Sequence, residues 1–519
     1  METCIKLLGA DFELANALEE HGPFGANVWE AARRLLAEVP GYPRHNSWGG
    51  TSIEWGRRFL EGNGGSAYID SDHLEINLPE HTRAAEHAAH MFAGLRIAQQ
   101  AREAAMARMP EGGRINVHAT VSDGQRSWGH HLNVLVRREL WDDLFTRKPH
   151  LAGFLATHLV SATLYTGQGQ VGAGNNRAAC DYQLAQRPDF FEELVGPQTT
   201  HRRPLLNTRD ESHTGSNLAR MHLIYFDLAL MPTANYLMAG TTQLVLAMAE
   251  AGWADPLIQL DDPLAAAWEI SRDLTLARPL AMASRGRRAT AVDVQRRLAD
   301  LAGEFVSVGL ADNCVPGAPD IVACWQQTLD WLARRDLAAL SRRCDWALKY
   351  LVLERQRARR GLSWDSADLK CLDIRYASLD PAEGLFLRLA SAGQVEGMPT
   401  EEEIVRCVES PPEETRAYLR AHVLRRFGEE VTDVDWDRIR FRTNLDRYWS
   451  PGVWMGLMDP MAWGKAEADE VLGRCATVRE LVEAVGGLPA RDDRYLSSWY
   501  REPWGQSDRS FSCVPYQGT

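Results

Sequence analysis

From Leu7 to Leu14 apolar and polar residues alternate, Leu8-Gly9-Ala10-Asp11-Phe12-Glu13-Leu14, and a period of two predicts a strand with Asp11 and Glu13 on one side. A second such run, Ala67-Tyr68-Ile69-Asp70, leads into a turn, so that Asp70, Asp72, His73 and Glu75 crowd within a few positions. Alternation puts Asp70 and Asp72 on one face, and Glu75 joins them only if the chain stays extended past His73. A third alternating run covers 114–121, a turn follows at Ser122-Asp123-Gly124, and 127–136 reads as the return strand of a hairpin. That return strand delivers His131 and Asn133 to one face. The other long stretches, 28–39, 81–109, 151–165 and most of 233–353, have helical periodicity. Thr400-Glu401-Glu402-Glu403 has the order of a helix start, and 413–427 reads as a basic-faced helix stopped by Gly428.

These elements predict an α+β fold, a sheet packed on helices. The chain of 519 residues is long enough for two or three domains, or one large domain with an appendage. Changes of texture divide it into a main body at 1–399, a small domain at 400–488 and a Trp-rich tail at 489–519. Apolar content of 45% and charged content of 24% are those of a soluble globular protein. The gentlest apolar run, 234–249, is interrupted by Asn, Gly, Thr and Gln and reads as a buried core helix, with no membrane association expected. Nine cysteines without CxxC spacing argue against a disulfide framework and a common zinc site. With no secretory signal visible, the expected location is cytoplasmic. A net charge of −13 argues against a nucleic-acid partner while leaving room for a nucleotide bound through a cation.

Two strands that offer carboxylates to one face could build an oxygen-lined cation site, and His131 would make it a mixed carboxylate–imidazole site. Solvated surface acids and a histidine bonded within the sheet are the plainer readings. Between His201 and His213 three arginines, two histidines and two acids surround a short apolar strand, with Arg220 and His222 shortly beyond. Guanidinium groups suit bidentate capture of phosphate or carboxylate, whereas a surface salt-bridge network is the alternative. Gly167-Gln168-Gly169-Gln170-Val171-Gly172 matches GxGxxG but follows a helical stretch instead of a strand, so a flexible loop is the better reading.

In this order the motifs resemble the family of the Pup ligase and the Pup deamidase/depupylase, which is related to glutamine synthetase and other carboxylate–amine ligases. Gly9-Ala10-Asp11-Phe12-Glu13 is similar to the family's Gly-x-Glu-x-Glu, and Tyr68-Ile69-Asp70 with His73-Leu74-Glu75 to its Tyr-x-Asp and His-Pro-Glu. Ser127 to Asn133 is similar to Ser-Tyr-Gly-x-His-Glu-Asn, and Asn207-Thr208-Arg209-Asp210-Glu211-Ser212-His213 to Asn-Thr-Arg-Asp-Glu-Pro-His. Pro411 to Arg420 resembles the family's Pro-Pro-x-x-Thr-Arg-Ala segment. The resemblance implies a glutamine synthetase-like curved antiparallel sheet, a small C-terminal domain, and ATP and magnesium as cofactors. It implies Asp70 as the catalytic carboxylate, and Asp11, Glu13, Glu75 and His131 as the holders of magnesium. Arg209 and Arg220, with Asn207 beside them, would bind the nucleotide.

Asp11 stands where the family has Glu, Leu132 replaces the acid of His-Glu-Asn, and Leu74 replaces a proline. The long loop of the depupylase branch is largely missing, although several spacings look more like that branch. The expected activity is ATP-dependent joining of a carboxylate to an amine through an acyl phosphate. The carboxylate would belong to a peptide, a Pup-like protein or a small molecule. Hydrolysis of an amide or isopeptide with bound nucleotide is the alternative, and an impaired scaffold, supported chiefly by Leu132, is the third reading.

Overall fold

The computed structural model describes residues 3–19, 27–43, 54–110, 112–442 and 452–488, so the tail expected at 489–519 lies outside them. Its centre is a ten-stranded sheet. The first five strands are β1 (Leu8–Glu19), β2 (Tyr42–Pro43), β3 (Glu54–Phe59), β4 (Ser66–Asp70) and β5 (His73–Asn77). Next come β6 (Arg114–His118), β7 (His130–Arg137) and a small separate pair, β8 (Gln170–Val171) and β9 (Tyr182–Gln183). The last three are β10 (Phe191–Gly196), β11 (Arg203–Asn207) and β12 (Leu218–Leu223). Their order is β10-β11-β12-β7-β1-β5-β4-β3-β2, with β6 paired to β1 as well. Every pairing in this sheet is antiparallel except β10 with β11.

The sheet has one apolar face and one polar face because its strands alternate. In β1, Leu8, Ala10, Phe12 and Leu14 are buried while Gly9, Asp11 and Glu13 are half-buried on the other side. The apolar face is covered by α1 (Val28–Glu38), α2 (Ala84–Met106), α3 (Arg138–Asp142), α4 (Pro149–Thr166) and α5 (Pro232–Glu250). In α1 the inward positions are Ala31, Ala32, Leu35 and Leu36, the i, i+4 stripe of a helix lying on a core. α2 comes so close to β1 that a Cβ on Gly94 would meet Phe12 Cζ at 2.8 Å. α5 is buried along almost its whole length, as a core helix should be. Each large side chain sealed between these layers contributes about 1.5–3 kcal/mol. Among the described residues no helix is long and apolar enough to cross a membrane.

Three local expectations are corrected. β6 and β7 do not form a hairpin ladder: β6 pairs with Ala15–Glu19 of β1 and β7 with Leu8–Phe12, joined near the turn only by the Ser122–Ser127 bridge. Asp72 is not a strand residue on the face of Asp70, because β4 ends at Asp70 and Ser71, at φ 55°, turns the chain straight into β5. The GxGxxG stretch is not a flexible loop, since its Gln170 and Val171 form β8. Gln168 is fully buried, donates its side-chain amide to the carbonyls of Ala119 and Leu228 at 2.7 and 2.6 Å, and donates its backbone N–H to Asp227 Oδ2 at 2.9 Å.

At the β2 end lies a smaller layer. Strands Val431–Asp435, Arg438–Phe441, Val453–Gly456 and Gly487–Leu488 form a four-stranded sheet under the helix Ala417–Phe427. Its core takes in Phe59 from β3. The helix Glu401–Glu409 starts with a Thr400–Glu403 capping box and packs on α2, with Ile404 in the main core. The basic helix begins at Ala417, and Arg420 on it is fully buried instead of forming part of a solvated basic face.

Candidate active site

The polar face of the sheet opens into a cleft of about 750 Å³. β1 contributes Asp11, β4 Asp70, β5 Glu75, β7 His131 and Asn133, β12 Arg220 and His222, and the loop after β11 Arg209. Register brings them together. Glu13 stands opposite Glu75 across the β1–β5 ladder, and Asp11 stands between Asn77 and His131.

Two carboxylate groupings result. In the first, carboxylate oxygens of Glu13, Asp70 and Glu75 lie within 4.8 Å of one another. Gly129 donates its N–H to Glu13 Oε1 at 2.6 Å, while Tyr68 and Asn77 donate to Glu75 Oε1 at 2.7 and 2.8 Å. Ser71 donates its hydroxyl to Asp70 Oδ1 at 2.9 Å. Burial, and then the Asp70 charge, push the Glu13 carboxyl up, and burial with Asp11, Glu13 and Asp70 pushes Glu75 well above its usual range. Three acids this close, Glu75 buried and the other two half-buried, resist ionising together unless a cation joins them. Their oxygens suit a hard ion such as magnesium.

The second grouping is tied together by its own contacts, while Asn133 Oδ1 and His222 Nδ1 stay buried with no hydrogen-bond partner among the described residues. His131 Nδ1 lies 2.5 Å from Asp11 Oδ1, and Asn133 donates to Asp11 Oδ2 at 2.9 Å. Burial opposes the Asp11 charge, but His131, His222 and the Asn133 bond outweigh it and hold the carboxyl well below the usual range. Bonding at Nδ1 leaves His131 Nε2 for other work, and a Cβ on Gly129 would sit 2.5 Å from Glu13 Oε1 and 2.8 Å from that Nε2. Glycine at this position is what lets Glu13 and His131 approach each other. His222 packs edge-on against His131 with ring centroids 4.8 Å apart.

The arginines divide by role. Arg209 and Arg220 line the cleft, Arg209 half-exposed and 3.9 Å from Glu211, Arg220 half-buried and donating Nε to the Asp210 carbonyl at 2.8 Å. Arg202 pairs with Glu193 on the outside, and Arg203 donates to the Thr199 carbonyl at 2.7 Å, so neither enters the cleft. Asn207 is fully buried and does not line it. Its amide donates to the Gln198 carbonyl at 2.9 Å and its oxygen receives the Arg209 N–H at 2.8 Å, which makes it a support for the loop carrying Arg209.

Leu132 faces away from all of this. It is fully buried in the apolar layer with Leu8, Val134 and Val136, because the residue between His131 and Asn133 must point to the other face. An acid lost at this position is therefore not an acid lost from the cleft.

Sequence reasoning missed several cleft residues. Arg57, Tyr68, Asn77, Glu80, Arg416, Asp435 and Trp436 also line the cavity. Asn77 was recoverable, since it sits two positions after Glu75 on the same face. Arg416 and Trp436 arrive from the small layer, which no local pattern predicts. On that wall His213, Asp435 and Asp437 also come within 4.8 Å, but both oxygens of Asp437 are already taken by Arg438 at 2.7 and 2.8 Å.

Buried carboxylates facing guanidinium groups across one cleft, on the open face of a helix-backed sheet, are the equipment of an enzyme that handles a charged group. The profile for the family described as Pup-ligase protein matches residues 12–440. A depupylase from Acidothermus cellulolyticus is 34% identical over 432 residues, 82% of each chain. A Pup–protein ligase from Paenarthrobacter aurescens is 34% identical over 399 residues, 75% of this chain and 85% of that one. The solved structure of the Pup ligase PafA in complex with ADP superposes with a TM-score of 0.69 at 26% identity, covering 82% of this chain and 90% of that one. The chain belongs to the Pup-ligase family.

Proposed function

We propose that this protein is an ATP- and magnesium-dependent ligase that joins a carboxylate, such as a glutamate side chain of a Pup-like protein or peptide, to an amine. The observation that carries the reading is the Glu13–Asp70–Glu75 trio, of which Asp70 and Glu75 line the same cleft as Arg209 and Arg220 while Glu13 stands just behind them. Relatives named as Pup–protein ligases and a fold neighbour solved with ADP support the substrate class and the nucleotide. The four-stranded layer beside the cleft supports a small domain within 400–488 beside a main body at 1–399, with the helix Glu401–Glu409 of that span packed on the main body.

Glu13 and Glu75, with His131 through Nε2, would hold magnesium, and Asp11 joins them if it releases His131 or Asn133. The ion would supply the positive charge that offsets the transferred phosphoryl group. Arg209 and Arg220 bind phosphate oxygens as charge builds on them. A carboxylate oxygen of the substrate takes the γ-phosphoryl group and ADP leaves. The amine then attacks the activated carbonyl carbon, phosphate departs with the electron pair of the C–O bond, and Asp70 accepts the amine proton. The trio and its neighbours supply all of these roles without an acid at position 132, which removes the main support for an impaired scaffold.

A second reading has its own support in the depupylase likeness over 82% of both chains. There the same cleft would hold an amide, with Asp70 activating attack on it. The test incubates the protein with ATP and magnesium and, in one arm, a Pup-like peptide bearing a glutamate side chain with an amine acceptor, in the other the same peptide already joined to the amine through an isopeptide bond. One phosphate released per amide formed supports the ligase, and isopeptide cleavage without ATP turnover supports the hydrolase. Asp70→Asn should lower either rate about 10²–10⁴-fold while nucleotide still binds. Undiminished turnover in that variant would overturn both.

A further inference from the structure

Arg57 reaches the cleft through an irregularity in the sheet. The β3–β4 register shifts between Trp55 and Arg58, and Gly56 inside that shift has φ of 70°. A bulge of this kind re-aims the side chain beside it, and glycine is the residue that accepts the left-handed backbone. The Arg57 guanidinium lies over the Tyr68 ring, 3.9 Å from its centroid, and donates from Nη1 to Ser66 Oγ at 2.9 Å and Asn77 Oδ1 at 2.8 Å.

These contacts impose a direction. Ser66 also donates to Asn77 Oδ1, at 2.6 Å, so the Asn77 oxygen is occupied and its NH₂ group is turned toward Glu75 Oε1. Tyr68, with the guanidinium over its ring, supplies the second donor to the same oxygen. With Oε1 bonded twice, Glu75 has its other oxygen to offer to a cation shared with Glu13 and Asp70. Arg57 thus orders both groups that orient Glu75, and it brings a permanent positive charge to a wall otherwise rich in acids.

We propose that Arg57 is a positioning residue for the carboxylate trio, acting through Asn77 and Tyr68 to set Glu75 for a divalent cation. The inference rests on the cation-site reading of that trio. Its test needs no turnover: Mn²⁺, visible by electron paramagnetic resonance, is titrated into the full chain without nucleotide or substrate. Arg57→Met should raise the Mn²⁺ concentration for half-saturation about 10–100-fold, the range for outer partners of metal ligands. The metal-free melting midpoint should stay close to that of the parent. Arg57→Lys, which keeps the charge but loses the planar fork, should fall between the two.

Asn77→Ala, which cuts the relay and leaves Arg57 in place, should weaken Mn²⁺ in the same sense and serves if Arg57→Met does not fold. Parent-like Mn²⁺ affinity in Arg57→Met, or in Asn77→Ala, overturns the relay while leaving the cation site standing. A parent protein that binds no Mn²⁺ overturns the cation-site reading itself.

Discussion

Glu75 and Glu80 lie a few residues apart, both buried, at 3% and 8% exposure, and they have opposite fates. Glu80 meets two guanidiniums. Arg416 donates Nε to its Oε1 at 2.8 Å, and Arg420 donates to Oε2 at 2.5 Å and to Oε1 at 3.2 Å. Burial opposes that charge, yet the two arginines pull the carboxyl down to about 2. Arg420 also donates to the Gly64 carbonyl and Arg416 to those of His213 and Leu457, so the cluster ties β5's end to the small layer. Glu75 meets only neutral donors and other acids, and its carboxyl is pushed up. A buried acid with its own cations is a structural joint. One left among acids has its counter-charge supplied from outside, which is why the first region reads as architecture and the second as chemistry.

The sharpest way to break this contrast is to place a carboxylate where neither guanidinium nor cation can reach it. Leu132→Glu restores the family's acid but puts it in the apolar layer, and the expected cost is about 5 kcal/mol or more, read by urea unfolding, with no gain in magnesium affinity. A stable variant that bound magnesium more tightly would show that position 132 serves the cleft after all. Removing the joint is the next largest effect. Glu80→Ala strands two buried arginines and should lower unfolding free energy by about 3–5 kcal/mol, checked in the same experiment.

The pH dependences should have opposite signs. Glu80, depressed to about 2 from 4.5, contributes stability that is present above pH 4.5 and lost as pH falls toward 2. Glu13, raised to about 8, contributes stability that is present below pH 4.5 and lost as pH rises through 8. The metal-free protein should therefore melt progressively lower between pH 5 and 8, and saturating magnesium should flatten that slope. A slope unaffected by magnesium would mean that the trio does not hold the ion.

Much of the site was legible before any coordinates. Alternation in β1 placed Asp11 and Glu13 together, and alternation in β7 placed His131 with Asn133, because side-chain direction in a strand is local. The same rule turns Leu132 away from His131 and Asn133, a step the reading of Leu132 as a lost site acid did not take, and the apolar layer around it shows where it went. Asp72 was misassigned because period two holds within a strand and a tight turn at Ser71 ends the strand. The β6–β7 hairpin failed for a related reason. Two consecutive alternating strands need not pair with each other when a twelve-residue strand such as β1 can accept both along its length.

By itself the sequence determined the α+β character and the pairings within a strand, Asp11 with Glu13 and His131 with Asn133, since these depend on periods of two and 3.6 residues. Only the tertiary structure decided that Glu13 stands opposite Glu75, that Arg57 turns in through a bulge, and that Arg416 and Arg420 claim Glu80. Those pairings join residues distant along the chain. They are selected by strand register and by burial of the whole apolar face, and neither is written in any short stretch of residues.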